Sequence, residues 1–202
     1  MQIFILCLIS YILGSIPFGF VIAYFVKKID IRNFGSGNIG ATNVTRVIGK
    51  FWGIVVFVLD FLKAFFPIIF AKSFLKTTSF DSYIFIFMAL FSVLGHNWPI
   101  FLKFKGGKGV ATSFGAMVAL SFIFAKLWIA ISIGIISWLV VFFIWRYVSL
   151  ASILAAIIFF ISTLVFLKDI EIKIFSFLLL ILVIWRHKKN IKNLIIKEEY
   201  RF

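Results

Sequence analysis

The sequence predicts an all-α integral membrane protein with seven transmembrane helices, the N-terminus outside and the C-terminus in the cytoplasm. Three observations predict it. Of 202 residues, 63% are hydrophobic and 14% charged, whereas a soluble domain is about 45–50% apolar and about 25% charged. The mean hydropathy, +1.16, is too high for a core inside a solvated shell. The Lys and Arg residues are also distributed unevenly between alternate connections.

The spans follow in order. Crossing the hydrocarbon takes roughly 20 apolar residues. Ile3–Val26 meets that length, with Gly14, Pro17 and Gly19 inside it. No basic segment precedes it, so it reads as a retained span rather than a cleaved signal. Phe51–Ala71, Leu127–Trp145 and Val148–Leu167 are equally clear. Tyr83–Trp98, Val110–Phe124 and Ile174–Trp185 are shorter; flanking residues or local thinning of the bilayer complete such spans. Trp52, Trp98, Trp145 and Trp185 fall at cytoplasmic edges and Trp128 at an outer edge, where interfacial Trp belongs. Trp138 alone is mid-span. There is no soluble domain, long linker or internal repeat, so residues 1–202 read as one domain. Cys7 stands alone, which excludes a disulfide framework and a Cys-based metal site.

Orientation rests on the placement of charge. One side carries Lys27, Lys28, Arg32, Arg46 and Lys50, then Lys103, Lys105 and Lys108, then Arg146. The tail adds Arg186, Lys188, Lys189, Lys192, Lys197 and Arg201. The other side carries Lys72, Lys76, Lys126, Lys168 and Lys173, and Lys63 lies within a span. The richer side is cytoplasmic. The net charge of +14 decides less than this placement, because the many Phe, Ile and Lys also fit an AT-rich genome.

The outer connections are plain, but three polar stretches mark the cytoplasmic side. The first runs from Arg32 to Arg46 and contains Gly35-x-Gly37-x-x-Gly40. It is not a dinucleotide fingerprint, which needs a preceding strand and a crossover helix. What remains is a turn whose backbone N–H groups can face an anion. Ser36, Asn38, Thr42 and Asn43 supply short donors, and Arg46 adds a bidentate fork. The second stretch, Gly95 to Thr112, contains Lys105-Gly106-Gly107-Lys108-Gly109 just before a helix. A helix start adds positive dipole. The stretch is not a P-loop, since Gly109 rather than Ser or Thr follows Lys108. It reads as phosphate binding without nucleotide hydrolysis. Attraction to anionic lipid would explain the lysines but not the glycines. The third stretch opens the tail with His187 and Asn190, three apart and on one face if the last span continues as a helix. His96 and His187 are the only histidines, too few for a metal site, so neither a metal nor another cofactor is expected. Asp60 and Lys63 lie inside a span at i,i+3. Such a pair suggests function by default; mutual neutralisation that fixes helix packing is the competing reading.

These residues alone leave enzyme and transporter open. A transporter places polar groups near the midplane, often with inverted repeats, whereas here they gather at the cytoplasmic edge. An alcohol phosphatidyltransferase wants clustered Asp for metal, which the sequence lacks.

The polar stretches resemble the motifs of the bacterial acyl-phosphate:glycerol-3-phosphate acyltransferases (PlsY). Ser36-Gly-Asn-Ile-Gly-Ala-Thr-Asn-Val-Thr-Arg46 resembles the first motif. Gly95-His96 with Phe101 to Thr112 resembles the second, and His187, Asn190 and Ile191 the third. Asp60…Lys63 and Arg146-Tyr-Val-Ser149 are also similar to family features. The resemblance covers the whole chain and favours the enzyme. Asn193 departs from a frequent Arg, and Lys197-Glu198-Glu199 replaces the usual Gly-Thr-Glu ending.

The resemblance implies a seven-span enzyme of the bacterial cytoplasmic membrane with a cytoplasmic-facing active site. It would move a fatty acyl group from acyl phosphate to the 1-hydroxyl of glycerol 3-phosphate. Ser36, Arg46, Lys108, Ser149, His187 and Asn190 would be catalytic. Asn38, Thr42, Asn43, His96, Lys105, Gly106, Gly107, Gly109 and Thr112 would bind substrate. Membrane lipid is the expected environment, nucleic acid is not a partner, and the enzyme acts as a monomer.

Overall fold

A bilayer interior offers no water to backbone amides, so spanning segments must satisfy them internally. The chain does so with helices. The computed structural model describes residues 1–75 and 82–202; Lys76, counted above on the outer side, lies outside them. Among the described residues there are ten α-helices. They are α1 Gln2–Gly14, α2 Phe18–Lys27, α3 Ala41–Val47, α4 Lys50–Phe74 and α5 Ser82–Asn97. After these come α6 Val110–Ser121, α7 Leu127–Trp145, α8 Val148–Phe166, α9 Ile170–Arg186 and α10 Lys188–Ile195. The chain forms two compact units, Met1–Leu120 and Ser121–Phe202.

Among the described residues, five segments can cross a membrane by length and composition: Gln2–Lys27, Lys50–Phe74, Ser82–Leu102, Leu127–Trp145 and Val148–Phe166. Of the three expected short spans, Tyr83–Trp98 falls within the longer segment Ser82–Leu102, and the other two are α6, with 12 residues, and α9, with 17.

The first expected span is not one continuous helix. It breaks between Gly14 and Phe18. Pro17 has no N–H to donate, and its ring pushes Ile16 out of helical geometry. The Ile16 carbonyl accepts the Phe18 N–H at 3.1 Å and the Lys63 ammonium at 3.0 Å. Lys63 Nζ also donates to His96 Nδ1 at 2.9 Å and lies 2.7 Å from Asp60 Oδ1. The Asp60 contact is an ion pair rather than a directed hydrogen bond. All three side chains are buried. The intramembrane pair therefore joins the α1–α2 break, α4 and the end of α5, more than the mutual neutralisation its spacing suggested.

In the first unit α1 packs on α5 and α4, and α4 also contacts α2, α3 and α5. The α1–α5 crossing is close. A Cβ on Gly14 would collide with the Ser92 carbonyl, and one on Gly95 with the Tyr11 carbonyl. Small residues allow this approach in helices that lipid cannot drive together.

In the second unit α8 packs against α7, α9 and α10. Trp138 Nε1 donates to Ser152 Oγ at 3.2 Å, and Thr163 and Ser176 share a buried hydroxyl contact of 2.8 Å. Such pairs join spans where water cannot compete. The last span ends at Arg186. His187, at φ −99° and ψ 6°, separates it from α10. His187 and Asn190 thus share no continuous helix with α9, as the sequence reading required for one common face.

Gly14→Val should lower the thermal midpoint of the detergent-solubilised protein, because overpacking costs about 1–3 kcal/mol. An unchanged midpoint in a thermal-unfolding scan would remove the tight α1–α5 crossing.

Candidate active site

Asn43 organises the first polar stretch. It is buried at 1% exposure. Its Oδ1 accepts the Ser36 N–H at 2.8 Å, and its Nδ2 donates to the Asn38 carbonyl at 2.9 Å and the Phe34 carbonyl at 3.0 Å. Both amide protons and the carbonyl are engaged within the loop. Gly35 sits at φ +57°, and a Cβ there would collide with Asn43 Oδ1. Asn38 Oδ1 accepts the Gly40 N–H at 2.8 Å, just ahead of α3. Ser36, Thr42 and Arg46 are half-buried around this scaffold. The structure thus makes Asn43 a brace of the loop.

The loop is pinned from below. Ile31, Ile39 and Val44 are buried in one apolar cluster with Ala23, Val56 and Leu102. Leu102 belongs to the second polar stretch, so both stretches are anchored on one core. Arg32 pairs with Asp30 at 2.6 Å, so its charge is engaged locally. The hydrogen bond from the Arg32 guanidinium holds the Asp30 carboxyl below the usual carboxylate range.

The second stretch is built on His96. The Gly107 N–H donates to the His96 carbonyl at 3.0 Å. A Cβ on Gly107 would run into the His96 imidazole, and one on Gly106 into the His96 carbonyl. Only glycine permits this stacking of loop on ring. Helix α6 starts at Val110, with its first turn closed by Ser113 N–H to the Gly109 carbonyl at 2.7 Å. Lys105 is exposed and Lys108 half-buried just before that start.

Asn97 is a residue the motif reading passed over. It is fully buried, and neither polar atom of its side chain has a hydrogen-bond partner among the described residues; the same holds for the Thr112 hydroxyl. An unpaired buried polar group costs about 1–3 kcal/mol. A Cβ on Gly109 would stand 2.7 Å from Asn97 Oδ1, so the amide lies directly against the glycine turn. Its only sequence signal is its place next to His96.

The third group belongs to the second unit. His187 is buried, and its Nδ1 meets the Val183 carbonyl at 2.8 Å. A carbonyl only accepts, so Nδ1 carries the proton and Nε2 the lone pair. Ser149 Oγ and Asn190 Nδ2 both donate to Glu199 Oε1, each at 2.7 Å. The tail returns to the α7–α8 turn, where the Phe202 N–H donates to the Arg146 carbonyl at 2.8 Å. Among the described residues no group of three or more His, Cys, Asp or Glu could hold a metal ion.

The family model for glycerol-3-phosphate acyltransferase matches residues 4–197. The chain belongs to the glycerol-3-phosphate acyltransferase family. The glycerol-3-phosphate acyltransferase of Aquifex aeolicus is 45% identical over 202 residues, covering all of both chains. That of Desulforamulus reducens is 41% identical, covering 95% of this chain and 91% of its own. The crystal structure of PlsY, an integral membrane glycerol 3-phosphate acyltransferase, in its glycerol 3-phosphate form superposes with a TM-score of 0.89. It is 44% identical, and the match covers 100% of this chain and 96% of that one. A lysophosphatidic acid form of PlsY superposes at 0.86 with 43% identity, over the same shares of the two chains. The chain is thus a multi-pass protein of a bacterial membrane and an acyltransferase of its family.

Within this acyltransferase, Glu199 does what the departing tail sequence obscured. It gathers Ser149 and Asn190, which are separate in sequence, onto one carboxylate oxygen. Replacing it with Leu removes a charged acceptor from two donors at once. Hydrogen bonds to charged groups are worth about 1.5–3 kcal/mol, so Glu199→Leu should lower kcat/KM by at least about tenfold. Retained kcat/KM in the purified variant would dissociate the Glu199 cluster from activity.

Proposed function

We propose that the chain transfers a fatty acyl group from acyl phosphate to the 1-hydroxyl of glycerol 3-phosphate. The hydroxyl oxygen bonds to the acyl carbon, the bond from that carbon to the phosphate oxygen breaks, and inorganic phosphate leaves. Lysophosphatidic acid is the other product. The reaction takes place at the cytoplasmic face of a seven-span bundle, in which α6 and α9 complete the five longer spans. The asymmetry of Lys and Arg supports that orientation. The chain acts as a monomer.

One observation carries the reading: the Gly106-Gly107-Lys108-Gly109 turn, bonded to the His96 carbonyl and leading straight into α6. An acyl phosphate is already activated, so no covalent intermediate is needed. The site has to bring two phosphates together against their repulsion and stabilise charge as phosphate departs. Lys108 and the glycine N–H groups take the glycerol 3-phosphate phosphate, assisted by Lys105 and Thr112. Ser36 and Arg46 orient the phosphates, with Asn38 and Thr42 at the edge of that loop. Ser149, His187 and Asn190 act at the reacting groups. The hydroxyl proton passes to a substrate phosphate oxygen, the route the family resemblance favours. The alternative acceptor is His187, supported by its Nδ1 donation to Val183, which leaves Nε2 basic.

Lys108→Ala should raise the KM for glycerol 3-phosphate by about tenfold or more, the value of a charge-assisted hydrogen bond, while the protein still inserts. Near-normal kinetics would remove the loop assignment. The purified protein in EDTA, given acyl phosphate and labelled glycerol 3-phosphate, should form lysophosphatidic acid. Product only with acyl-CoA would overturn the donor.

A further inference from the structure

Two groups inside the bilayer, Asp60 and Lys63, meet the second polar stretch at His96. The imidazole of His96 has two edges. Its Nδ1 is 2.9 Å from Lys63 Nζ and 3.5 Å from Asp60 Oδ1. Its Nε2 is the ring atom nearest to where a Gly107 side chain would begin. An ammonium has donors and no acceptor. A contact of 2.9 Å between Nζ and Nδ1 therefore makes Nδ1 the acceptor, and the neutral ring carries its proton on Nε2. The ammonium is held in place by the Ile16 carbonyl at 3.0 Å and by Asp60 at 2.7 Å. The helix break at Pro17 and a carboxylate thus set the direction of one N–H bond at the glycine turn.

We infer that Asp60 and Lys63 are positioning residues that lock His96 in its Nε2–H tautomer and thereby present a fixed donor to the Gly106-Gly107 turn. This rests on the reading that the turn holds a substrate phosphate. A ring orienting one nitrogen through the bond made by the other is the usual way a tautomer is selected. Without the ammonium, Asp60 faces Nδ1 directly and draws the proton to it. The edge at Gly107 then becomes an acceptor, which repels phosphate.

The chain has two histidines, so the tautomer can be read directly. In full-length protein labelled with 15N-histidine, the His96 resonance, identified by its loss in His96→Gln, should show a bare Nδ1 and a protonated Nε2. A protonated Nδ1 in the wild type would overturn the inference without any variant having to fold. Lys63→Met should shift the proton toward Nδ1 and raise the glycerol 3-phosphate KM about tenfold, with kcat and the acyl phosphate KM changed less than about threefold. His96→Gln, whose amide keeps a donor near the Nε2 position, should stay closer to the wild-type KM than His96→Leu. Equal losses in those two variants, or an unmoved KM in Lys63→Met, would overturn it. Lys108→Ala separates the two ideas. If it leaves the KM unmoved, the loop assignment fails; if it raises the KM and Lys63→Met does not, only the positioning role fails.

Discussion

A charged amine in an apolar helix has to be matched by its surroundings, and the first unit is arranged around that requirement. The Lys63 ammonium meets a backbone carbonyl from the α1–α2 break, a carboxylate from its own helix and an imidazole from α5. Each partner would be poorly matched without it. The carbonyl at Ile16 sits where proline has interrupted the helix, Asp60 would be a buried bare charge, and His96 would lose its orientation. Removing one member of a buried ion pair costs about 3–5 kcal/mol, so each member of the cluster supports the others. That constraint fixes where α1 breaks and where the end of α5 lies, and the second polar loop is built on the end of α5.

The two loops of the first unit are braced by different means. The Ser36 loop is braced by a side chain: Asn43 turns inward and uses its amide on three backbone partners. The Lys108 loop is braced by the main chain and by the absence of side chains, with Gly106 and Gly107 pressed on His96. Both rest on one apolar cluster.

The second unit assembles its polar group with a carboxylate. Ser149 begins α8, Asn190 lies on α10 and Glu199 follows in the tail, yet all three meet within hydrogen-bond distance. His187 sits at the junction of α9 and α10 with its tautomer set by Val183. One carboxylate oxygen thus gathers two neutral donors, from the half-buried Asn190 and the buried Ser149.

Much of this was legible in the amino-acid order. Apolar runs placed the helices because a bilayer tolerates little else, and glycines beside Lys and Arg marked the loops because anion binding needs unhindered N–H groups. Other features depend on contacts between residues far apart in the chain, which no local pattern records. Pro17 could be seen, but not that the Ile16 carbonyl before it would be met by Lys63. Asn43 showed its residue type in the sequence, but not that its amide would brace its own loop. Asn97 carried no signal beyond its neighbour, and Glu199 stood in a segment that departs from the family ending. The sequence by itself determined the membrane class and the helical segments, since these follow from composition and short-range order. Only the tertiary structure decided which polar groups brace and which face outward, because a hydrogen bond has one direction and each donor or acceptor only so many partners.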